Sequence, residues 1–500
     1  MAPSASAPRL ARSLQLWTAV IVFLTTGYFQ NQNPEANALS QFDLTRAIVA
    51  RGTLSIDAYH GNTIDKALFR GHYYSDKSPV NAFLGVPALA LYDRWARAGR
   101  RFDENQARYW TTCAVEGLAA ALLATMLAVA LRRRGVAPRL AALAGASWIV
   151  ATPLLGYSIL FYNYLPACAM FMAGYLLVEP EWTRPESLPA RRLFAAGLVV
   201  GLASWTVYTF ALGALVMTFP LLAGAWAKRS GAGSWWNAAR RPCAWVAGGL
   251  LGVVGYFIYN RYVFRSFSSG YAYEVEPLFR QEMAKGLMGA TWPRPFVAWL
   301  LTAHRFHGLF LWFPVTALAL AGLCWQLWRA REEGVTARGV RMECLVALLF
   351  FAGLLTYTSG YYMWWGGYAY APRHLIPALP LLALGLVPWL GRGRSAPALL
   401  LFLVAFGSAL FNVAAVAVNP QPWPGLSTEQ LMMPLSVERW PSPYLALQTS
   451  FWKLGATDRN WGGAFGLGGR ASLLPLAALW AVAGAVLAWR KHGVAELGME

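Results

Sequence analysis

Ionisable side chains are concentrated in one polar segment, residues 40–81, of a chain that is otherwise mostly apolar. The segment follows the first apolar run and carries Asp43, Arg46, Asp76 and Lys77. Charged groups are expensive to keep near lipid and tend to be retained for function. We therefore expect this first polar loop to hold the chemistry of the protein.

Functional and structural interpretations of these residues both remain open on spacing alone. Ser40 to Arg51 is predicted to be a short helix that Gly52 ends, so Asp43 and Arg46 share a face. Asp43 could then be catalytic, could reach back to Ser40 as part of a capping box, or could pair with Arg46. Lys77 could bind the phosphate of a lipid-linked substrate or extend to lipid headgroups.

The composition indicates a membrane protein. Of 500 residues, 57% are hydrophobic and only 13% charged, and apolar runs long enough to cross a bilayer recur along the chain. We predict an all-α, polytopic fold with about 12 transmembrane helices (range 11–13) and an amphipathic first outer loop. The formal net charge of +19 does not indicate nucleic-acid binding, because the arginines cluster in short loops, as in the cytoplasmic loops of membrane proteins.

The topology has two solutions. Either the short apolar stretch 79–92 crosses and 193–227 crosses once, or 79–92 stays outside and 193–227 crosses twice. The second places Arg132–Arg134 in the cytoplasm and suits the positive-inside rule; the order of elements favours the first. Both place residues 31–78, 265–306, 361–373 and 419–470 outside, and 228–242, 329–341, 392–395 and the C-terminus inside.

The polar segment also resembles a known family. FDLTRAIVARGTLSID, followed by GHYYSDKSP, is similar to the integral-membrane glycosyltransferases of the GT-C class, including lipid A aminoarabinose transferases and protein O-mannosyltransferases. The resemblance covers mainly residues 10–265. It departs at Leu44, where the family often has a second acidic residue, and at Ser78-Pro79, where it often has Pro-Pro.

The resemblance implies roles for several residues. Asp43 would be the general base that deprotonates an acceptor hydroxyl, and Lys77 would bind the phosphate of a polyprenyl-phosphate-linked sugar donor. Arg108 lies where similar chains have an arginine. We count Arg46, Lys77, Arg108 and Arg373 as candidate phosphate ligands, and residues 1–265 as a GT-C-like catalytic module followed by C-terminal transmembrane helices in 266–500.

Other residues could contribute to the site. The aromatic turn 361–373 ends in Arg373 and offers Trp364 and Trp365 as surfaces for a sugar, although tyrosines and tryptophans also mark membrane interfaces. Glu116 stands alone in an apolar run, and Asp76 lies beside Lys77. The spacing of the histidines specifies no metal site; no cofactor is predicted with certainty, and a divalent ion could bind in the first loop.

The sequence thus predicts a membrane glycosyltransferase. It would sit in the cytoplasmic (inner) membrane with its site facing outward, and would move a sugar from a polyprenyl-phosphate donor to a lipid, glycan or protein acceptor of the cell envelope. A transporter or flippase of lipid-linked glycans is the alternative. The enzyme is favoured because the charges gather in a loop rather than at mid-membrane.

Overall fold

The computed structural model describes residues 6–99, 101–183, 188–228, 235–330, 335–391, 395–434 and 440–489. Nearly all regular structure in these ranges is helical, and their one sheet has two strands. The predicted all-α fold is confirmed. Parts of the predicted cytoplasmic loops, at 229–234, 331–334, 392–394 and 490–500, lie outside the described residues.

The amino-terminal half contains the sheet and the first twelve helices. In chain order these are α1 Ser6–Thr26, α2 Ala36–Arg51, β1 Ala67–Phe69, β2 His72–Tyr74, α3 Val80–Arg97, α4 Glu104–Thr112, α5 Leu118–Arg133, α6 Pro138–Ala151, α7 Leu154–Ser158, α8 Tyr164–Val178, α9 Pro180–Thr183, α10 Ala190–Thr206, α11 Phe210–Lys228 and α12 Trp235–Phe264. A π-helical segment, Cys113–Gly117, joins α4 to α5 without a break.

The carboxy-terminal half is helical with long connections. Its helices are α13 Pro277–Met283, α14 Pro295–Thr302, α15 Leu309–Trp312, α16 Pro314–Arg329, α17 Val335–Gly360, α18 Leu379–Leu382, α19 Ser395–Val418, α20 Thr428–Met432, α21 Pro443–Trp452, α22 Trp461–Ala464 and α23 Leu474–Trp489. Two 3₁₀ segments, Arg373–Ala378 and Ala383–Leu386, flank α18.

Four helical stretches in the described ranges are long and apolar enough to cross a membrane: Glu104–Arg133, Ala239–Phe264, Ala337–Gly360 and Ser395–Val418. Shorter apolar helices accompany them, at Pro138–Ala151, Phe210–Trp226, Arg373–Leu386 and Gly469–Ala485. Large apolar side chains such as Phe219, Ile258 and Leu403 are more than half exposed. An apolar perimeter of this kind suits lipid rather than water, so the chain is a multi-pass membrane protein.

The structure distinguishes between the two predicted membrane topologies. Arg46 Nη1 lies 2.6 Å from Glu104 Oε2, and the Tyr109 hydroxyl donates to Gly27 O at the end of α1. The start of α4 is therefore at the same end of the bundle as the first polar loop, which we call the loop end. Helix α3 begins directly after that loop, and only a few residues separate its end from the start of α4. The chain therefore enters and leaves α3 on the loop-end side, and residues 79–92 do not cross the membrane.

The long apolar stretch 193–227 crosses twice, as that solution requires. It forms two helices, α10 and α11, separated by Val207–Thr209 at the loop end. Side chains satisfy the last carbonyls of α10: Ser78 Oγ donates to Trp205 O and Asn163 Nδ2 to Thr206 O, each at 2.8 Å. These bonds replace the helical partners that a chain reversal removes.

The opposite end of the bundle, which we call the basic end, is held by ion pairs. Arg134 binds Glu343 of α17, and Arg133 Nη1 lies 3.0 Å from Glu179 Oε2. Arg134 and Glu343 are largely buried, and Tyr175 donates to the same carboxylate at 2.7 Å. The cytoplasmic location of this end remains a prediction from the sequence, made because its clustered arginines follow the positive-inside rule.

Glycines allow α10 and α12 to pack backbone against backbone. A Cβ at Gly197 would lie 2.1 Å from Trp245 O, and one at Gly248 would lie 2.0 Å from Phe194 O. Such close approach of small residues is a common way for membrane helices to associate. It fixes α10, whose end forms part of the site described below.

Candidate active site

The first polar loop and the loop 265–306 meet in a small sheet at the loop end. Strands β1 and β2 pair across a two-residue turn, Arg70-Gly71, in which both residues have positive φ, as a tight hairpin turn requires. Ala67 forms a bridge to Glu274, and Val275 N donates to Lys66 O at 3.0 Å. The second loop thereby extends the sheet and brings Glu274 beside the Asp76–Lys77 turn.

A cavity of about 570 Å³ opens next to this sheet. Lys77 and Arg373, two of the predicted phosphate ligands, both line it although they are far apart in sequence. Residues from 1–265 and from 266–500 contribute to its wall, including the break between α10 and α11. The volume falls in the usual range for small-molecule sites.

Lys77 stands among carboxyl groups on the cavity wall. Its Nζ lies 3.0 Å from Asp65 Oδ2 and also bonds to Asp76 Oδ2. Burial lowers the pKa of Lys77, but the charges of Asp65 and Asp76 raise it more, and the result is well above its ordinary value. The lysine is therefore a permanent cation in this site.

Arg373 is the second cation of the cavity. Its Nη1 donates to the Tyr162 hydroxyl at 3.0 Å, and its guanidinium lies over the ring of that tyrosine. Gly366, with φ +87°, passes so close that an added Cβ would lie 2.9 Å from the Arg373 side chain. Within the described residues no carboxylate bonds to this guanidinium, and its planar donors suit an anion.

Aromatic side chains make up much of the remaining wall. Tyrosines from four parts of the chain line the cavity, among them Tyr164, Tyr208, Tyr271 and Tyr361. Trp365 is buried in the wall and Trp423 is largely exposed at the cavity. Rings with hydroxyl groups offer apolar faces and hydrogen bonds together, which is a surface suited to sugars and isoprenoids.

Asp43 lies apart from this cavity, fully buried in α2. Its Oδ1 accepts a hydrogen bond from Asn62 Nδ2 at 3.3 Å, whereas its Oδ2 has no hydrogen-bond partner in the described structure. Burial raises the pKa of Asp43 to about 7. A carboxyl with this pKa can take and release a proton near neutral pH.

The local structure around Asp43 differs from the prediction. Helix α2 starts at Ala36, not at Ser40, and ends at Gly52 with φ 64° as predicted. Ser40 is thus inside the helix, so the capping-box interpretation of Asp43 was wrong. Its hydroxyl instead lies 2.8 Å from the Ser75 hydroxyl, two residues before Lys77, which ties the helix of Asp43 to the cavity wall.

Arg46 and Arg108 lie on the same side of helix α2 as Asp43, and neither lines the cavity. Arg46 pairs with Glu104, rather than with Asp43, and lies over the Tyr59 ring. Arg108 Nη2 donates to Asn105 Oδ1 at 2.7 Å and lines a small separate space of about 10 Å³. Of the four predicted phosphate ligands, the structure brings together Lys77 and Arg373.

The remaining candidates have distinct positions. Trp364 is fully buried behind the wall, stacked on Trp440, and its indole donates to Leu431 O at 2.8 Å. Glu116 is fully buried in the π-helical segment, and neither of its carboxyl oxygens has a hydrogen-bond partner among the described residues. Asp76 belongs to the Lys77 cluster.

The sequence analysis assigned no role in the site to Glu274, Asp65 or the tyrosines. Glu274 is in YAYEVEP, a stretch with no motif, and only the pairing of the two loops reveals its place. As for a metal, no group of three or more His, Cys, Asp or Glu side chains in the described ranges is arranged to hold one. His72 pairs with Asp57, and His60 stacks on Tyr73.

Comparisons with known proteins complete the description. No family model matches the chain, and no curated protein matches it. Similar solved structures include ArnT from Cupriavidus metallidurans bound to undecaprenyl phosphate, at 17% identity and TM-score 0.46, covering 97% of this chain and 76% of that one. They also include the archaeal oligosaccharyltransferase AglB from Archaeoglobus fulgidus, in complex with an inhibitory peptide and a dolichol-phosphate. It is 12% identical with a TM-score of 0.42, covering 92% of this chain and 58% of that one.

These solved structures, an ArnT and an oligosaccharyltransferase, are of the kind that the sequence resemblance names. At identities and TM-scores this low, no residue role, substrate or reaction is carried over from these proteins to this chain.

Proposed function

We propose that this protein is a membrane glycosyltransferase. It would transfer a sugar from a polyprenyl-phosphate donor to a cell-envelope acceptor at the loop end, which faces the extracytoplasmic side in the predicted topology. The observation that carries the proposal is the presence of Lys77 and Arg373 on one aromatic-lined cavity. Two cations on one cavity can hold a phosphate that gains charge during a reaction.

The reaction breaks one bond and forms another at the anomeric carbon. The acceptor oxygen attacks that carbon, and the bond from the carbon to the donor's phosphate oxygen breaks. The bonding electron pair stays on the phosphate, where Lys77 and Arg373 stabilise it. The acceptor proton passes to a carboxylate, so the products are the glycosylated acceptor and a polyprenyl phosphate.

We assign the proton acceptor to Asp43, following the family resemblance. Its pKa of about 7 and its unpartnered Oδ2 support the assignment, and the Ser40–Ser75 contact links its helix to the Lys77 turn. Since Asp43 is fully buried, the acceptor hydroxyl must reach it through a rearrangement of the first loop. Catalytic contacts often tighten only once substrate is bound.

Asp65 is the rival base, because it lines the cavity itself. Its carboxylate is already engaged by Lys77 at 3.0 Å, so an acceptor hydroxyl would have to displace the lysine to reach it. We therefore expect Asp43→Asn to abolish transfer while donor binding persists. Asp65→Asn should alter donor handling without abolishing transfer.

The test uses purified protein in nanodiscs, radiolabelled polyprenyl-phosphate sugars and an envelope extract as acceptor. Wild type, Asp43→Asn and Asp65→Asn are compared with Asp57→Asn, a change at a partly exposed carboxylate that pairs with His72 in the same loop. Full transfer by Asp43→Asn would refute its assignment. If wild type consumes no donor but moves lipid-linked glycan across vesicles, the transporter alternative replaces the proposal.

A further inference from the structure

Three carboxyl groups surround the single ammonium group of Lys77. Asp65 Oδ2 and Asp76 Oδ2 bond to it directly, and Glu274 lies against Asp76 on the side of the second loop. Asp76 and Glu274 are almost fully buried. All three line the same cavity as Lys77. A site that only binds phosphate needs cations, so the presence of three carboxyl groups around one lysine calls for an explanation.

Asp76 and Glu274 cannot both be ionised where they are. Asp76 Oδ1 and Glu274 Oε2 are buried with no assigned hydrogen-bond partner in the described structure, as expected where two carboxyl groups share a proton. Burial, followed by the charge of Asp76, raises the pKa of Glu274 to about 11, and burial raises the pKa of Asp76 as well. The pair therefore holds one shared proton and one negative charge, and the Asp65 carboxylate that pairs with Lys77 adds a second beside the single positive charge.

This excess matters because the reaction changes the charge of the bound phosphate. A sugar-linked donor is a phosphodiester with a single negative charge. The polyprenyl phosphate that remains is a monoester, and a phosphate monoester carries about −1.5 to −2 at pH 7 because its second pKa is about 6. The neighbouring carboxylates repel the product more strongly than the donor, and they do so in a partly dry site where charge interactions are strong.

We propose that Asp65, Asp76 and Glu274 make the Lys77 site discriminate against phosphate monoesters, so that it accepts the diester donor and expels the monoester product. The inference rests on the proposed function and adds a selectivity to the same site. Asp65 competes with any phosphate for Lys77, and it returns to the lysine when the product leaves. Asp65 and the Asp76–Glu274 pair act through charge on the bound phosphate and do not take part in bond breaking.

The test measures binding of two lipids that differ only at the phosphate: undecaprenyl phosphate and its methyl phosphodiester. Affinities are measured in nanodiscs at pH 7.5 by quenching of tryptophan fluorescence. We expect wild type to bind the diester more tightly. In Asp65→Asn the monoester should gain roughly tenfold relative to the diester, as loss of one nearby charge allows. Asp57→Asn is the matched control and should keep the wild-type ratio.

A second measurement needs no variant. At pH 5.5 the monoester takes up a proton and carries nearly the charge of the diester, so the preference of wild type should largely disappear. Thermal unfolding of Asp65→Asn and Asp57→Asn shows whether each variant is folded.

The outcomes separate the two proposals. If wild type binds both lipids, but the ratio changes neither with Asp65→Asn nor with pH, the selectivity is refuted and the glycosyltransferase proposal stands. A wild type that binds the monoester more tightly than the diester at pH 7.5 also refutes it. If wild type binds neither lipid, the cavity is not a polyprenyl-phosphate site and both proposals fail.

Discussion

The hydroxyl groups of Ser40 and Ser75 are 2.8 Å apart and buried. One belongs to the helix that presents Asp43, and the other lies two residues before Lys77. This contact fixes the distance between the proposed base and the proposed phosphate site. Losing one partner leaves a buried hydroxyl unsatisfied, which costs about 1–3 kcal/mol. We therefore expect Ser75→Ala to lower the unfolding temperature and to reduce transfer. Ser75→Thr, which keeps the hydroxyl, should restore part of both.

Transfer should depend on pH through Asp43. The base must be ionised, and because the pKa of Asp43 is raised to about 7, kcat/KM should rise with pH up to about 7 and level off above it. Replacing the base should reduce kcat by about 10²–10⁴-fold. The measurement is initial rate against pH with donor well below saturation, for wild type and Asp43→Asn. A rate that is flat between pH 5.5 and 8 would contradict the assignment.

Ionisation of Asp43 should also change the stability of the fold. Raising the pH should lower stability, whereas it raises the rate of transfer. An acid whose folded-state pKa is raised binds its proton more tightly when folded, so stability falls as pH rises from about 4 to about 7. Asp43→Asn removes that penalty, and we expect it to raise the unfolding temperature at pH 7.5 but not at pH 4. Thermal unfolding in detergent at the two pH values tests this. An equal shift at both values would show that the change acts by packing rather than by charge.

The proposed role of Lys77 and Arg373 in donor binding can be measured apart from the proposed role of Asp43 as base. Lys77→Ala and Arg373→Ala each remove a charged partner of the donor phosphate, and each should weaken binding of undecaprenyl methyl phosphodiester by about tenfold to a hundredfold, since hydrogen bonds to charged groups contribute about 1.5–3 kcal/mol. Lys77→Arg should retain more affinity than Lys77→Ala. The control is Arg46→Ala, because Arg46 pairs with Glu104 away from the cavity. An equal loss in Arg46→Ala would show that the cavity is not the phosphate site.

The topology makes a prediction about labelling. In a background without native cysteines, a cysteine at Ser55 or at Arg97 should react with a membrane-impermeant thiol reagent added outside intact cells. One at Ala137 should react only after permeabilisation. If residues 79–92 crossed the membrane, the reactivity of positions 97 and 137 would be exchanged.

The buried pair at the basic end should be important for stability. Removing one member leaves an uncompensated buried charge, which typically costs about 3–5 kcal/mol, so Arg134→Met and Glu343→Gln should each lower the unfolding temperature markedly. The double variant Arg134→Met/Glu343→Met should be more stable than Arg134→Met alone. The comparison is Arg97→Ala, which breaks an exposed pair with Asp93 and should change stability by about 0.5 kcal/mol or less.

The sequence predicted what depends on local pattern. Apolar runs indicate membrane helices, Gly52 ends α2 as its conformational freedom suggests, and the charges of residues 40–81 lie at the end of the bundle that carries the candidate cavity. Pattern could not predict how the loops pair. Ser40 resembled a helix cap until its bond to Ser75 was seen, and Glu274 has no local signal. Its role depends on a strand bridge to Ala67, more than 200 residues away. Such long-range contacts are determined by how the helices pack, and short-range sequence periodicity does not reveal them.

The bridge between Ala67 and Glu274 also has a mechanical consequence. It joins two loops that are otherwise separated by several membrane passes, so force applied to one is transmitted to the carboxyl groups around Lys77. The second loop carries Phe267 and Trp292 on its outer surface, both strongly exposed. An antibody fragment that binds these two rings would restrict the motion of the β1–β2 hairpin. It would thereby act as an inhibitor that never enters the cavity.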